Sequence, residues 1–555
     1  MREKTIRVPM RDGCQLAADL FLPDREAACP AILLRTPYGR ENVKQDWLYS
    51  HPQRLTEEGY AVLFQDCRGT GDSDGLLKLN GENEHEDGYD TVEWMAQQPW
   101  CNGRVGMFGL SYFGFTQLAA ASMRPPHLRA VCPFMTVSME PFGASQMRTT
   151  NVFHLVWALS QVIRQPEKHI KDPALRESLL PVLVQSRDRL AQDALYLPMD
   201  AHPAALAEIP LLSDYLRLQR GVEDSAFWRT LRCPMDYDHA DAAMFFATGW
   251  QDVACQSTLD GYRAARRSAN AYVRENARLL IGPWNHGGML PSVIEDQDYG
   301  ADSSGAAQDV EGMMLRFFDR HLKERQTQPF EGRVRYFITG SNTWREAEDW
   351  PPRTDVLELY PAADGALGMR AAPATASYTY RPDHPAPSEY TDGEGRTEAA
   401  DWRCVSQRPD VLCYRGSPQK VGLTVAGEVV LMLRAITDAA DTDFVCRLLD
   451  EDETGRQYAL TAGLVRARYR HGLFRDDPIR PGEMVEYRLS VGHTAHTFLP
   501  GHRVCVQITS SMFPKHNRNL NTGLSNTTTT GFVCAKQQIL LGGKDGTRLL
   551  LPVEQ

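Results

Sequence analysis

The 555-residue sequence is too long for a single hydrophobic core, so we expect roughly two to four domains. Its content of 42% hydrophobic and 24% charged residues is typical of globular proteins and excludes a disordered or fibrous chain. A formal net charge of −11 disfavours nucleic acids and anionic membranes as partners, because both attract basic surfaces.

The N-terminal residues, the apolar runs and the cysteines indicate where the protein is located and whether it has metal or redox sites. Residues 1–20 lack the basic start and apolar run of a signal peptide, and no stretch approaches the roughly 18 apolar residues of a membrane span. We therefore expect a cytoplasmic protein. The twelve cysteines form no CxxC pair that would indicate a metal or redox site, and we expect no disulfide.

The first 144 residues alternate between short apolar runs closed by turn residues and helical patterns. Strands are predicted at Ala31–Arg35, Tyr60–Asp66 and Val105–Phe108, and helices at Tyr89–Gln98 and Phe113–Met123. Strands that alternate with helices predict a parallel α/β sheet.

Residues 145–240 have a different pattern, with helical segments and no clear strand. The helices are predicted at Val152–Ile163, Pro173–Asp193 and Ile209–Gln219. Strand signals return afterwards, and an amphipathic run ends the region: Ala243–Thr248, Arg278–Ile281 and Val310–Leu322. We therefore predict that residues 1–144 and 241–330 form one sheet, interrupted by a helical cap at 145–240.

The remaining residues, 331–555, are rich in β-branched and aromatic runs separated by turn residues. Strands are predicted at Val334–Thr339, Val356–Tyr360, Glu428–Ala435, Phe444–Leu449, Met484–Leu489 and Val504–Ile508. Residues 361–400, dense in Ala, Pro, Asp and Gly, are predicted to be a loop-rich segment leading into the later strands. The regular spacing of the predicted strands predicts a C-terminal β-sandwich.

One serine lies on a predicted strand–turn–helix element. Ser111 has Gly109 two residues before it, but Phe113 stands where the general GxSxG elbow has its second glycine, and Gly114 follows one position late. Such a turn exposes a serine hydroxyl above the sheet, and the N-terminus of the following helix can stabilise an oxyanion. The context predicts a nucleophile, although the general pattern is incomplete.

A serine nucleophile needs a histidine base and a carboxylate that orients it. Asp252 and His286 both follow predicted strands and come in the order Ser, Asp, His that α/β-hydrolases use. Order and position at a strand end favour Asp252 over three neighbouring carboxylates: Asp238, Asp241 and Asp260.

Motifs spread over nearly the whole chain resemble those of the CocE/NonD hydrolases, which include esterases, α-amino acid ester hydrolases, glutaryl acylases and X-Pro dipeptidyl-peptidases. The motifs are RTPYG at 35–39, QDCRGTGDSDG at 65–75, GLSYFG at 109–114, GWQD at 249–252, GPWNH at 282–286, FFDRHLK at 317–323, FLPGHR at 498–503 and NRNLNTG at 517–523. The family's elbow reads G-x-S-Y-x-G, so the late Gly114 fits it.

The resemblance implies an α/β-hydrolase fold with an inserted helical cap and a C-terminal jelly-roll β-sandwich. It also implies that Ser111 is the nucleophile, that Asp252 orients the base and that His286 is the base. The oxyanion hole would be formed by the phenol of Tyr38 and the backbone amide of Tyr112.

We expect the cap and the residues near the motifs to line the acyl pocket, in particular Phe113, Trp157 and Trp284. The QDCRG segment is expected to hold a buried ion pair between Asp66 and Arg68, with Cys67 packed rather than reactive. The loop at 71–75 lacks the distal glutamate of a calcium site, and we expect neither a metal nor a cofactor.

The sequence favours a serine hydrolase that cleaves small carboxylic esters or amides. An X-Pro dipeptidyl-peptidase and an α-amino acid ester hydrolase or acylase are alternatives, but Phe113 stands where the α-amino acid ester hydrolases carry an acidic residue. Carboxylates that could bind an ammonium group stay open among Asp193, Asp200, Asp214 and Glu223. A binding protein that uses its β-sandwich would leave the Ser–Asp–His set unexplained. Whether the chain forms a homo-oligomer is open.

Overall fold

The computed structural model describes residues 1–24, 27–45, 51–78, 81, 83–138, 152–189, 192, 194–199, 209–221, 223–224, 226, 235–289, 292–294, 297–388 and 401–554. Its strands up to residue 347 are β1 (Arg2–Pro9), β2 (Gln15–Leu22), β3 (Cys29–Thr36), β4 (Ala61–Asp66), β5 (Cys101–Leu110), β6 (Leu128–Phe134), β7 (Ala243–Gln251), β8 (Ala277–Asn285), β9 (Val293–Ile294), β10 (Gln297–Asp298), β11 (Val334–Ile338) and β12 (Thr343–Ala347). The helices are α1 (Arg40–Gln45), α2 (Pro52–Glu57), α3 (Glu84–Ala96), α4 (Tyr112–Ser122), α5 (Val152–Arg164), α6 (Pro166–His169), α7 (Pro173–Asp188), α8 (Pro210–Gly221), α9 (Cys255–Arg267), α10 (Ala271–Glu275), α11 (Val310–Leu322) and α12 (Arg403–Ser406).

The central sheet of the first domain contains ten of these strands in the order β1-β2-β4-β3-β5-β6-β7-β8-β11-β12. Neighbouring strands from β4 to β11 run parallel, whereas the pairs at both edges are antiparallel. Every residue of β3 and β4 is buried, as expected of parallel strands covered on both faces. One face packs against α3, α4 and α9 and the other against α2 and α11, which gives the predicted α/β-hydrolase fold.

The cap is inserted between β6 and β7 and consists of α5 to α8 in the described part of the chain. Helix α5 packs against α7 and α8. Their apolar side chains form one cluster with Cys67, Tyr112 and Phe115 of the hydrolase domain. The apolar core of the cap is therefore continuous with the residues around the turn that carries Ser111. No helix in the described ranges is long and apolar enough to cross a membrane.

The C-terminal strands are β13 (Asp355–Pro361), β14 (Ala366–Gly368), β15 (Ala374–Tyr380), β16 (Leu412–Gly416), β17 (Leu423–Thr437), β18 (Asp443–Glu451), β19 (Gln457–Arg466), β20 (Met484–Phe498), β21 (Arg503–Thr509), β22 (Ala535–Leu541) and β23 (Arg548–Val553). They pair in the order β15-β22-β17-β23-β13-β14-β16-β21-β18-β19, with β20 beside β17. Their inward side chains form one apolar core, which confirms the predicted β-sandwich.

One expectation about this half of the chain is wrong. The strand predicted at Val334–Thr339 belongs to the hydrolase sheet, where β11 runs parallel to β8 and forms a hairpin with β12. Apolar content alone could not assign this run to one sheet or the other. The segment predicted to be loop-rich, 361–400, contains two strands in its described part, β14 and β15. Half-exposed Ala, Ser and Thr give β15 a weak apolar signal. Residues 389–400 lie outside the described ranges.

Candidate active site

Ser111 occupies a strained turn between β5 and α4. Its backbone angles are φ 58° and ψ −124°, a conformation that a residue other than glycine seldom adopts and that is enriched at functional sites. A Cβ at Gly109 would lie 2.5 Å from the Cβ of Phe113, and one at Gly114 would lie 2.7 Å from the Cβ of Thr136. Both glycines therefore let the chain turn tightly, which explains why the second one is displaced.

The structure brings Ser111, Asp252 and His286 together over long sequence separations. The Nε2 atom of His286 lies 2.9 Å from the Oγ of Ser111, and its Nδ1 lies 2.7 Å from Oδ1 of Asp252. The Asp252 side chain is fully buried, whereas 15% of the His286 side chain is exposed. This is the hydrogen-bonded order of a nucleophile, a base and an orienting acid.

Adjacent strands deliver the acid and the histidine. Asp252 directly follows β7, His286 directly follows β8, and the two strands pair in parallel with Gly249 opposite Gly282. A side chain at Gly249 would collide with the carbonyl oxygen of Trp284. The glycines of the GWQD and GPWNH motifs therefore allow the two strands to approach closely enough for their ends to meet.

Two hydrogen bonds fix the carboxylate of Asp252. The hydroxyl of Thr248 donates to Oδ2 over 3.1 Å, and the backbone N–H of Ala254 donates to Oδ1 over 3.0 Å. With the contact to His286, both carboxylate oxygens are occupied. This environment holds Asp252 as an acceptor for the imidazole. Its rivals contact other groups: Asp238 accepts from the backbone of Ala269, Asp241 accepts from the amide of Asn270, and Asp260 pairs with Arg263.

Tyr38 lies beside the nucleophile. Burial raises the pKa of its phenol, and hydrogen bonds with Trp157 and with Ser111 partly offset that rise. The indole N–H of Trp157 donates to the Tyr38 oxygen over 3.1 Å. The phenol thus stays protonated and has its own hydrogen available as a donor near the Oγ of Ser111.

Trp157 connects the cap to the nucleophile turn, and its importance was underestimated from the sequence. Its ring stacks on that of Tyr112, with centroids 5.3 Å apart and an interplanar angle of 7°. The Tyr112 hydroxyl donates to Oε1 of Glu84 over 3.0 Å, and Glu84 pairs with the fully buried Arg35 at 2.6 Å. A buried chain of contacts thereby supports both Tyr38 and the start of α4.

Sequence reasoning missed Glu84 and Arg35 in this support. A signal was present for Arg35, which is a charged residue at the end of an otherwise apolar buried strand. Such a residue requires a buried partner of opposite charge, but the sequence could not identify which of the many carboxylates it would be.

The two other predicted pocket residues differ in position. Phe113 is half-buried and packs edge-on against Tyr38, with centroids 5.3 Å apart, so it borders the nucleophile. Trp284 has no exposed surface and donates its indole N–H to the carbonyl of Ser303 over 2.9 Å. The expectation that Trp284 lines a substrate pocket is therefore wrong, since it packs in the core below the site.

The ion pair expected between Asp66 and Arg68 is also absent. Asp66 is buried and accepts hydrogen bonds from the guanidinium and, over 2.6 Å, from the backbone N–H of Arg40. Arg68 instead pairs with Asp87 at 2.6 Å. Because Arg40 follows Tyr38 by two residues, Asp66 anchors the loop that carries Tyr38.

Cys67 is fully buried, and burial raises its thiol pKa well above the ordinary value. It is therefore an unreactive packing residue, as expected.

Of the four cap carboxylates considered for binding an ammonium group, two lie in the described residues, and both contact other groups of the protein. Asp214 lies 3.6 Å from Arg217. Glu223 accepts hydrogen bonds from the backbone and side-chain amides of Asn526, both over 3.0 Å, and so ties the cap to the β-sandwich. Asp193 and Asp200 lie outside the described residues.

A cavity of about 360 Å³ adjoins the site between the hydrolase domain and the β-sandwich. Asp252 and Val253 border it from the first domain, and Tyr458, His496 and Lys515 border it from the second. The β-sandwich therefore contributes polar groups close to the candidate acid.

Comparison with known proteins agrees with this geometry. The profile of the X-Pro dipeptidyl-peptidase (S15 family) matches residues 12–288, and that of the X-Pro dipeptidyl-peptidase C-terminal non-catalytic domain matches residues 330–550. Cocaine esterase of Rhodococcus sp. (strain MB1 Bresler) is 32% identical over 548 residues, which cover 93% of this chain and 92% of that protein.

Solved structures show the same fold. An aminopeptidase from the marine sediment archaeon Thaumarchaeota archaeon has a TM-score of 0.83 at 24% identity, covering 100% of this chain and 96% of that one. A CocE/NonD family hydrolase from Staphylococcus aureus has a TM-score of 0.70 at 18% identity, covering 99% and 93%. The three-part architecture is therefore shared across nearly the full length of each chain.

Proposed function

Since this chain belongs to the CocE/NonD family of serine hydrolases, we propose that it hydrolyses small carboxylic esters through an acyl-enzyme on Ser111. The observation that carries the proposal is the contact of 2.9 Å between His286 Nε2 and Ser111 Oγ, with Asp252 at 2.7 Å on the other ring nitrogen. The cocaine esterase relationship supports an ester as the substrate.

In the first half-reaction, Ser111 Oγ attacks the ester carbonyl carbon while His286 Nε2 takes the hydroxyl proton. Asp252 accepts the hydrogen bond from Nδ1 and stabilises the imidazolium that forms. The Tyr38 hydroxyl and the Tyr112 amide stabilise the oxyanion, and the amide contributes the partial positive charge of a helix N-terminus. His286 then protonates the leaving alcohol, and the acyl group stays on Ser111.

In the second half-reaction, water enters the place of the alcohol. His286 removes a proton from the water as its oxygen attacks the acyl carbon, and the same donors stabilise the second oxyanion. Collapse of this intermediate breaks the bond to Ser111 Oγ, which regains its proton from His286. A carboxylic acid leaves, and the resting enzyme is restored.

Cleavage of the amide bond of X-Pro peptides is the second candidate. The similarity of residues 12–288 to the X-Pro dipeptidyl-peptidases favours it, and the same serine chemistry cleaves amides. The half-buried Phe113 beside Tyr38 provides an apolar neighbour for the acyl group but no carboxylate for a free amino group. We therefore rank the ester first.

Turnover of two chromogenic substrates separates the candidates. We expect hydrolysis of p-nitrophenyl acetate or butyrate, much slower hydrolysis of an X-Pro p-nitroanilide, and loss of both activities in Ser111→Ala. Preference for the anilide would replace the first candidate by the second. Cleavage of neither substrate, together with no labelling by a fluorophosphonate, would contradict a serine hydrolase.

A further inference from the structure

A cleft rich in arginine lies where the parallel strands of the hydrolase sheet begin, at the opposite end of these strands from Ser111. It has a volume of about 510 Å³ and is formed near the starts of β5, β6 and β8 and by the end of α11 with the residues after it. Strand β5 connects the two ends, since Arg104 lies near its start and Ser111 follows its last residue. The cleft is therefore separate from the candidate active site.

The charge of the cleft is reversed relative to that of the whole chain. Its lining contains the guanidinium groups of Arg104, Arg129, Arg320 and Arg325 but a single carboxylate, that of Glu324. The formal net charge of the protein, by contrast, is −11. A local positive excess on an acidic protein requires an explanation other than average composition.

Two of the four guanidinium groups are neutralised by partners. Arg104 pairs with Glu324 at 2.7 Å, and Arg325 pairs with Asp319 at 2.8 Å. In the part of the chain that the structure describes, neither Arg129 nor Arg320 has a carboxylate within ion-pair distance. Arg320 donates a hydrogen bond to the carbonyl of Thr327 over 3.3 Å.

Burial is the main cause that lowers the pKa of two groups near the cleft, and the charge of Arg320 adds to this in both cases. Burial, and then Arg333 and Arg320, lower the pKa of Arg278, which lies in β8 beside the cleft. Burial, Arg320 and Arg278 lower the pKa of His321 to about 4, so its ring is neutral at pH 7. Arg320 has no carboxylate partner among the described residues, so its repulsion of these groups would be relieved by an anion in the cleft.

We propose that this cleft is a binding site for a small molecule carrying a phosphate or carboxylate group, held by Arg129 and Arg320. A guanidinium donates two parallel hydrogen bonds to such oxyanions. Two guanidinium groups that have no carboxylate partner among the described residues provide the charge to retain one. Helix α11 packs against β5, β6 and β7, so a ligand at its end would stabilise the hydrolase domain without touching Ser111.

The test measures thermal unfolding of the whole protein in inorganic phosphate, in citrate and in chloride at equal ionic strength. A ligand at about ten times its Kd is expected to raise Tm by about 1–2 °C relative to chloride. In the double variant Arg129→Gln/Arg320→Gln, each anion should leave Tm at that variant's own chloride value. Arg370→Gln removes an exposed arginine of the C-terminal half and should keep the full rise.

Comparing the two anions identifies the ligand chemistry. A rise in phosphate alone would assign a phosphate-bearing ligand, and a rise in citrate alone would assign a carboxylate-bearing one. Equal Tm values in all three salts would overturn the proposal. A rise that persists in the double variant would also overturn it, because the stabilisation would then not come from this cleft.

Discussion

The two sides of the candidate active site are held in different ways. Asp252 and His286 extend from adjacent parallel strands of one sheet, and a glycine contact between these strands sets their spacing. Tyr38 lies on a loop, and its phenol is held by Trp157 from the inserted cap. The acid–base side therefore depends on the register of one sheet, whereas the oxyanion side depends on packing between the cap and the hydrolase domain.

The largest effect is expected at the nucleophile, which both sides serve. We predict that Ser111→Ala lowers kcat by about 10⁶-fold, and that adding His286→Ala causes little further loss because the two residues act as a unit. The measurement is ester turnover at saturating substrate. Ser122→Ala, at the other end of α4, is the matched control and should retain activity. If the losses of the two single variants added up in the double variant, Ser111 and His286 would not act as a unit.

Substitution of the carboxylate of Asp252 tests the acid–base side most directly. Asp252→Asn should lower kcat by about 10⁴-fold, because an amide no longer holds the imidazole in the required tautomer or stabilises its charge. The control is Asp260→Asn, since Asp260 pairs with Arg263 at 3.2 Å. If Asp260→Asn lost as much activity as Asp252→Asn at equal stability, the assignment of the acid would be wrong.

The oxyanion side should show a smaller loss. Removing one oxyanion donor typically costs about 10²- to 10³-fold in kcat, and we expect this for Tyr38→Phe with KM little changed. Tyr89→Phe, on α3, removes a phenol outside the site and should have no such effect. A change confined to KM would indicate that Tyr38 binds substrate rather than the transition state.

A still smaller effect is expected at the contact from the cap. Trp157→Phe keeps an aromatic ring against Tyr112 but removes the donor to Tyr38, and the loss of one hydrogen bond predicts a decrease in kcat of about 3- to 10-fold. The decrease should vanish in the background of Tyr38→Phe, because the two residues act through one contact. If Trp157→Phe lowered kcat by the same factor in that background, Trp157 would not act through its hydrogen bond to Tyr38.

The smallest expected effect concerns pH. Because burial raises the pKa of Tyr38 above the ordinary value of 10.0, its phenol stays protonated and kcat should not decline near pH 10 through ionisation of this group. Comparison of the pH profiles of the wild type and Tyr38→Phe tests this. A decline in the wild type that is missing in the variant would show that Tyr38 ionises there.

The sequence predicted which three residues the structure brings together, Ser111, Asp252 and His286, because strand ends are visible in it. Apolar runs mark β5, β7 and β8, and Ser111, Asp252 and His286 each follow the end of one of them. The carboxyl ends of parallel strands lie along the same end of a sheet. Three local patterns in the sequence were therefore sufficient to predict that these residues lie close together.

Contacts across the fold were not predictable in the same way. The partner of Asp66 is Arg40 rather than the adjacent Arg68, since burial and loop geometry, not proximity in sequence, decide an ion pair. Trp284 lies two residues before His286 but points into the core. The support of Tyr112 by Glu84 likewise joins residues 28 positions apart.

The most direct test of the account is to trap the acyl-enzyme. A p-nitrophenyl ester, mixed with enzyme and quenched in acid within the first turnover, should release a burst of nitrophenol. Mass spectrometry should then find the acyl group on the peptide that carries Ser111. An acyl group on another residue, or turnover that persists undiminished in Ser111→Ala, would contradict the central claim.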